Sequence, residues 1–129
     1  MGAVYAIECT LKVNRQKAPG DTLREALAKI LLKQLNDVTH EEVETLRGCL
    51  EIIFQARQRM FHYSEEGDEN GYTIYIDSGF DQSYMWESFM TETFEEITPL
   101  LEDGSQLYVE PDSDYDLIVV ENGVAVQKH

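Results

Sequence analysis

Acids stand at every second position in Glu110-Pro111-Asp112-Ser113-Asp114-Tyr115-Asp116, the densest set of candidate ligands in the chain. A calcium loop takes its first three ligands at this spacing. It then needs glycine at the sixth position and a bidentate glutamate at the twelfth. Counted from Asp112, those positions hold Leu117 and Gly123. The segment therefore reads as a solvated turn in which aspartate caps its own backbone, with a divalent-metal-dependent enzyme built on the acids near Asp112 as an alternative. Cys9 and Cys49 are the only thiols, and no nucleophile signature flanks them to recruit His40, His62 or His129. No histidine has ligand spacing to either cysteine, so zinc is not expected. No Gly-rich phosphate cradle is present, and no pair of carboxylates is singled out for acid–base chemistry. The expectation is a chain with no catalytic residues, no metal and no cofactor.

The distribution of charge is more informative. Residues 60–127 contain seventeen carboxylates and no lysine or arginine, whereas residues 1–59 carry eight acids against nine bases. Almost the whole net charge of −15 thus belongs to one half. Eleven of the thirteen aromatic residues (counting Phe, Trp and Tyr) share that half, so it is not hydrophobically poor in the way of a disordered tail. Salt adaptation would deplete bases everywhere rather than crowd them into the first 59 residues. A net charge of magnitude about 2 to 8 suffices to keep a small domain soluble, and a larger one adds self-repulsion. The field argues against direct nucleic-acid binding and against an anionic membrane.

The elements that must carry these acids follow from periodicity. Ala3–Val13 alternates, with Tyr5, Ile7, Cys9, Leu11 and Val13 on one face, and predicts a strand buried on one side. Leu23, Ala26, Leu27, Ile30 and Leu31 recur at helical spacing after a cap at Asp21 or Thr22. Thr39 and Glu42 have the spacing of a capping box, predicting a second helix from about His40 to the mid-fifties, weakened at Gly48. Residues 60–64 and 72–77 predict a hairpin around an acidic loop, closed at Ser78-Gly79. A helix opening at Asp81 or Ser83 would carry the apolar stripe Trp86, Phe89, Met90, Thr93, Phe94, Ile97, Leu100 and Leu101, with Pro99 kinking or tightening its end. Strands over 106–110, 115–121 and 124–127 complete the order, the last two joined through Asn122-Gly123. This pattern is α+β: one small domain with an antiparallel or mixed sheet and helices on one face. The start, MGAVYAIECTLKV, lacks the features of a signal peptide, and a cytoplasmic location with reduced, buried cysteines is expected.

An anionic surface held on a folded half matches the charge density of a phosphate backbone, which basic clefts neutralise. It would attract such clefts electrostatically. In charge pattern, though in no motif, the chain resembles small phage-type inhibitors that mimic nucleic acid, including anti-restriction and anti-CRISPR proteins. The expected function is a non-enzymatic acidic inhibitor or binding protein that meets a basic protein partner, such as a nucleic-acid-binding enzyme. The candidate contact residues are Glu92, Glu95, Glu96, Asp112, Asp114 and Asp116, with Tyr115 as an aromatic anchor. A toxin-neutralising immunity protein and a housekeeping domain with an incidental acidic surface remain open alternatives. Tyr63, Tyr75, Tyr84 and Tyr115 are expected to be exposed in part.

Overall fold

Strand β1 (Gly2–Asn14) is the axis of the molecule, and its alternation is strict: Ala3, Tyr5, Ile7, Cys9, Leu11 and Val13 are buried while the intervening side chains face outward. A computed structural model describes residues 2–129. The remaining elements are α1 (Thr22–Gln34), α2 (Leu46–Ile53), β2 (Met60–Gly67), β3 (Gly71–Ser83), α3 (Met85–Ile97), β4 (Gln106–Pro111), β5 (Asp116–Glu121) and β6 (Val124–Gln127). All six strands form one antiparallel sheet in the order β2-β3-β1-β4-β5-β6. The three helices cover one face, where Leu23, Leu27 and Leu31 of α1, Leu50 and Ile53 of α2, and Met90, Phe94 and Ile97 of α3 join the inward side chains of the sheet in one core. The α+β class and the one-sided helix layer are as expected from the sequence.

Several boundaries differ from the sequence reading. β3 does not stop at Ser78-Gly79 but pairs with β1 through thirteen registered positions to Ser83. Ser78 can sit inside the sheet because its hydroxyl is buried and hydrogen-bonds to the carbonyls of Phe54 and Met60. Asp81 and Ser83 therefore belong to the strand, and α3 starts at Met85 without a side-chain cap. The loop before β3 shrinks to a turn in which Asp68 Oδ1 accepts from the amides of Asn70 and Gly71. Asp21 precedes α1 but turns its carboxylate to Arg24 Nε at 2.6 Å instead of capping the helix.

The capping box forms: Thr39 N–H donates to Glu42 Oε1 at 2.9 Å and Glu42 N–H to Thr39 Oγ1 at 3.3 Å. The helix it starts lasts only a 3₁₀ turn, Glu41–Val43. A second cap, Thr45 Oγ1 accepting from Gly48 N–H at 2.9 Å, begins α2. The break thus falls before Gly48, not at it. Gly48 is required by proximity, since a Cβ there would lie 2.6 Å from Glu42 O. Gly48→Ala should accordingly destabilise by about 1–3 kcal/mol in denaturant titration through overpacking, opposite in sign to the gain that helix propensity alone would give.

The end of α3 tightens into a 3₁₀ turn at Thr98–Leu100 around Pro99. Asn122 and Gly123 have φ of 53° and 80°, the positive pair that a two-residue primed turn requires. Asp103 fixes this turn by accepting from both of their amides, at 2.9 and 3.1 Å.

Candidate functional site

Glu92, Glu95 and Glu96 project to solvent from the outer side of α3, opposite the buried Met90, Thr93, Phe94 and Ile97. They make no ion pair among the described residues. Asp112, Asp114, Tyr115 and Asp116 form a separate group where the β4–β5 turn meets the first turn of α3.

Asp112 is committed to the fold. Its Oδ1 accepts from Val4 N–H at 3.0 Å, its own N–H donates to Val4 O at 2.9 Å, and its Oδ2 accepts the Tyr84 hydroxyl. The backbone takes positive φ here, 63°. The Tyr84 and Val4 donors hold the Asp112 carboxyl below the ordinary aspartate range. The expectation of a turn in which aspartate caps its own backbone fits Asp114, which accepts from Tyr115 N–H, whereas Asp112 caps Val4 on the neighbouring strand. Stability contributed by a depressed carboxyl is present above its unfolded value of 3.8 and is lost as pH falls through the folded value. Asp112→Asn should lower the melting temperature at pH 7 and flatten the acid limb of a melting-temperature profile below pH 3.8.

Asp116 points to the helix side of β5, opposite the buried Val109. There it meets Glu87 of α3, a residue the sequence did not single out. A hydrogen bond to Asp116, then partial burial and the charges of Asp116 and Asp114, push the Glu87 carboxyl up to about 7. Gln127 Nε2 donates to Asp116 Oδ1 at 3.1 Å. Tyr115 stacks between Tyr108 and His129, with ring centroids 5.1 and 4.0 Å away, and His129 Nε2 lies 3.6 Å from Asp114 Oδ1.

A second acidic surface appears on the sheet face that no helix covers. Register places His62, Asp77, Glu8, Tyr108 and Leu117 in one row across β2, β3, β1, β4 and β5. Glu66, Asp81, Glu110 and Glu121 share this face. The acids of residues 60–127 are thus spread over this open face, the helix side of β2 at Glu65, the outer side of α3, the β4–β5 turn, and the turns at Asp68-Glu69 and Glu102-Asp103; they do not make the one continuous patch suggested by sequence adjacency. Among them, only Asp81 (to Arg59, 2.9 Å) and Glu121 (to Lys128, 2.8 Å) are paired with a lysine or arginine among the described residues. Within the other half, Arg24 pairs with Asp21 and Arg47 with Glu51.

No family model matches the chain, and no curated protein or solved structure is significantly similar to it. The chemistry must be judged from the geometry alone. Among the described residues no group of three or more His, Cys, Asp or Glu side chains is arranged to hold a metal ion. Both cysteines are free and buried, and burial drives the Cys9 thiol far up and the Cys49 thiol to about 11, which removes the thiolate that nucleophilic chemistry needs. No helix among the described residues is long and apolar enough to cross a membrane. Tyr75, Tyr84 and Tyr115 are exposed as expected, whereas Tyr63 packs partly against the core. Glu8 and Asp77 had a legible signal, since alternation in β1 puts Glu8 on its outward face. Glu87 had none, because Asp116 is distant in the chain.

Proposed function

We propose that this chain is a stoichiometric, non-enzymatic binding protein whose carboxylate surface occupies a basic site on a protein partner, in the manner of a nucleic-acid mimic acting on a nucleic-acid enzyme. The observation that carries this reading is the uncompensated charge: of the acids in residues 60–127, all but Asp81 and Glu121 lack a lysine or arginine partner among the described residues. A fold that needed those charges only for its own stability would pair them. Asp68, Asp103 and Asp112 serve the fold by accepting backbone amides, but the carboxylates with no internal partner, Glu92, Glu95 and Glu96 among them, repel one another and favour a cationic surface that replaces their water. Glu92, Glu95 and Glu96 are free for such contacts; in the separate group at the β4–β5 turn the side chain of Asp114 is 91% exposed, with His129 Nε2 at 3.6 Å and Tyr115 beside it as an aromatic anchor.

The test is capture from the native host on the immobilised chain, followed by elution with salt and with double-stranded DNA. The expected result is a basic, nucleic-acid-binding protein, released by either eluent. A captured protein that resists both would overturn the reading.

A further inference from the structure

The uncovered face of the sheet is an interaction surface in its own right. Glu8 and Asp77 are direct cross-strand partners in the β1–β3 ladder, so their Cβ atoms lie about 4.5–5.5 Å apart, an arrangement that destabilises a sheet when the charges are alike. Neither carboxylate makes a side-chain hydrogen bond or ion pair among the described residues. Next to them Ala6 lies opposite Gly79 on one side and Glu110 on the other. A depression of about 420 Å³ lies over Ala6, bounded by Glu8, Met60, His62, Asp77, Tyr108 and Glu110, with His62 directly opposite Asp77 on β2. The Tyr108 hydroxyl donates to Glu110, which pushes the phenol up to about 12 and keeps its proton in place at neutral pH. Val4, Met60 and Tyr75 add exposed apolar surface on the same face, at 53, 43 and 42%.

A guanidinium group fits this chemistry better than any other common cation. It is planar, it bonds a carboxylate through two parallel N–H donors, and it stacks on aromatic rings and apolar stems. Glu8 and Asp77 offer carboxylates with no hydrogen bond or ion pair of their own, between the Tyr108 ring and Met60, in a depression open to solvent. We infer that the open sheet face is the docking surface for an arginine-bearing segment of a basic protein, the arginine entering between Glu8, Asp77 and Glu110. This rests on the binding reading above and assigns it to a face distinct from the α3 end.

A short oligo-arginine peptide, titrated into the isotope-labelled chain and followed by amide chemical shifts, tests the assignment. The expected shifts centre on Ala6, Glu8, Asp77 and Tyr108. The double variant Glu8→Gln/Asp77→Asn should weaken binding about tenfold while melting at or above the wild-type temperature. Glu41→Gln/Glu44→Gln removes the same charge from the helix layer and should change affinity by less than about twofold. Equal weakening by both pairs would mean that net charge alone attracts the peptide, and would overturn the face. A loss confined to Glu92→Gln/Glu95→Gln/Glu96→Gln would overturn the face but leave the binding reading standing. Absence of salt-sensitive binding altogether would overturn both. Sedimentation as a dimer that the double variant dissociates would make the face a contact between two copies, against the proposal.

Discussion

Phe80→Ala should remove about 3–5 kcal/mol of stability, out of the roughly 5–15 kcal/mol available to a domain of this size. Phe80 is fully buried and stacks on Tyr5, with ring centroids 5.2 Å apart, across the central β1–β3 pair. Truncation leaves a cavity beneath the element from which the acidic end is hung. The Tyr5 hydroxyl donates to Ser83 O at 2.7 Å and accepts from Glu87 N–H at 3.2 Å, so this ring sets where β3 ends and where α3 begins. Tyr5→Phe keeps the stack and removes only these bonds, for about 1 kcal/mol. Guanidinium titration followed by circular dichroism separates the two. A Phe80→Ala loss as small as that of Tyr5→Phe would show that the stack is not the fixed point proposed for the α3 end.

Glu87→Gln should stabilise the protein at pH 8 by on the order of 1 kcal/mol, and hardly at all at pH 5. The sign follows from linkage. Glu87 titrates at about 7 in the fold against 4.5 in an open chain, so between those values the native state holds the extra proton. Stability from this group is fully present below pH 4.5 and is lost as pH rises through about 7. Above that, Glu87 and Asp116 repel, with Asp114 adding to the field. The amide of a glutamine imitates the protonated carboxyl and donates to Asp116 at any pH. The full shift is discounted because Glu87 remains largely accessible to solvent, which screens the pair. Melting temperatures of both proteins from pH 5 to 8 are the measurement, and parallel profiles would contradict the account.

Both predictions depend on pairings that no local pattern reveals, and this marks the limit of what was legible in the chain. Short-range chemistry was legible. The Asn122-Gly123 turn, the Thr39–Glu42 box and the apolar stripe of α3 each act within a few residues, so residue type and spacing specify them. The extension of β3 through Ser78 and Gly79 was not, because β1 supplies the ladder that carries a turn-like pair straight through the sheet. Asp112 reads in the sequence as part of a solvated turn, yet it is held by Val4 and Tyr84, 108 and 28 residues away in the chain. Charge segregation along the sequence pointed to residues 60–127 as a unit. Register instead sends Asp77 and Glu110 to the open face and Asp116 to the helix side, and it brings Glu8 from the other half to stand opposite Asp77.

The central claim is that carboxylates without internal partners are there to be met by a cationic surface. The most direct measurement is the dissociation constant for the protein partner captured from the host, taken at about 0.05 M and 0.3 M salt, where the screening length falls from roughly 14 to 6 Å. The account predicts a loss of affinity of at least about tenfold over that range, with double-stranded DNA competing for the same site. Affinity that is unchanged by salt and untouched by DNA would contradict it.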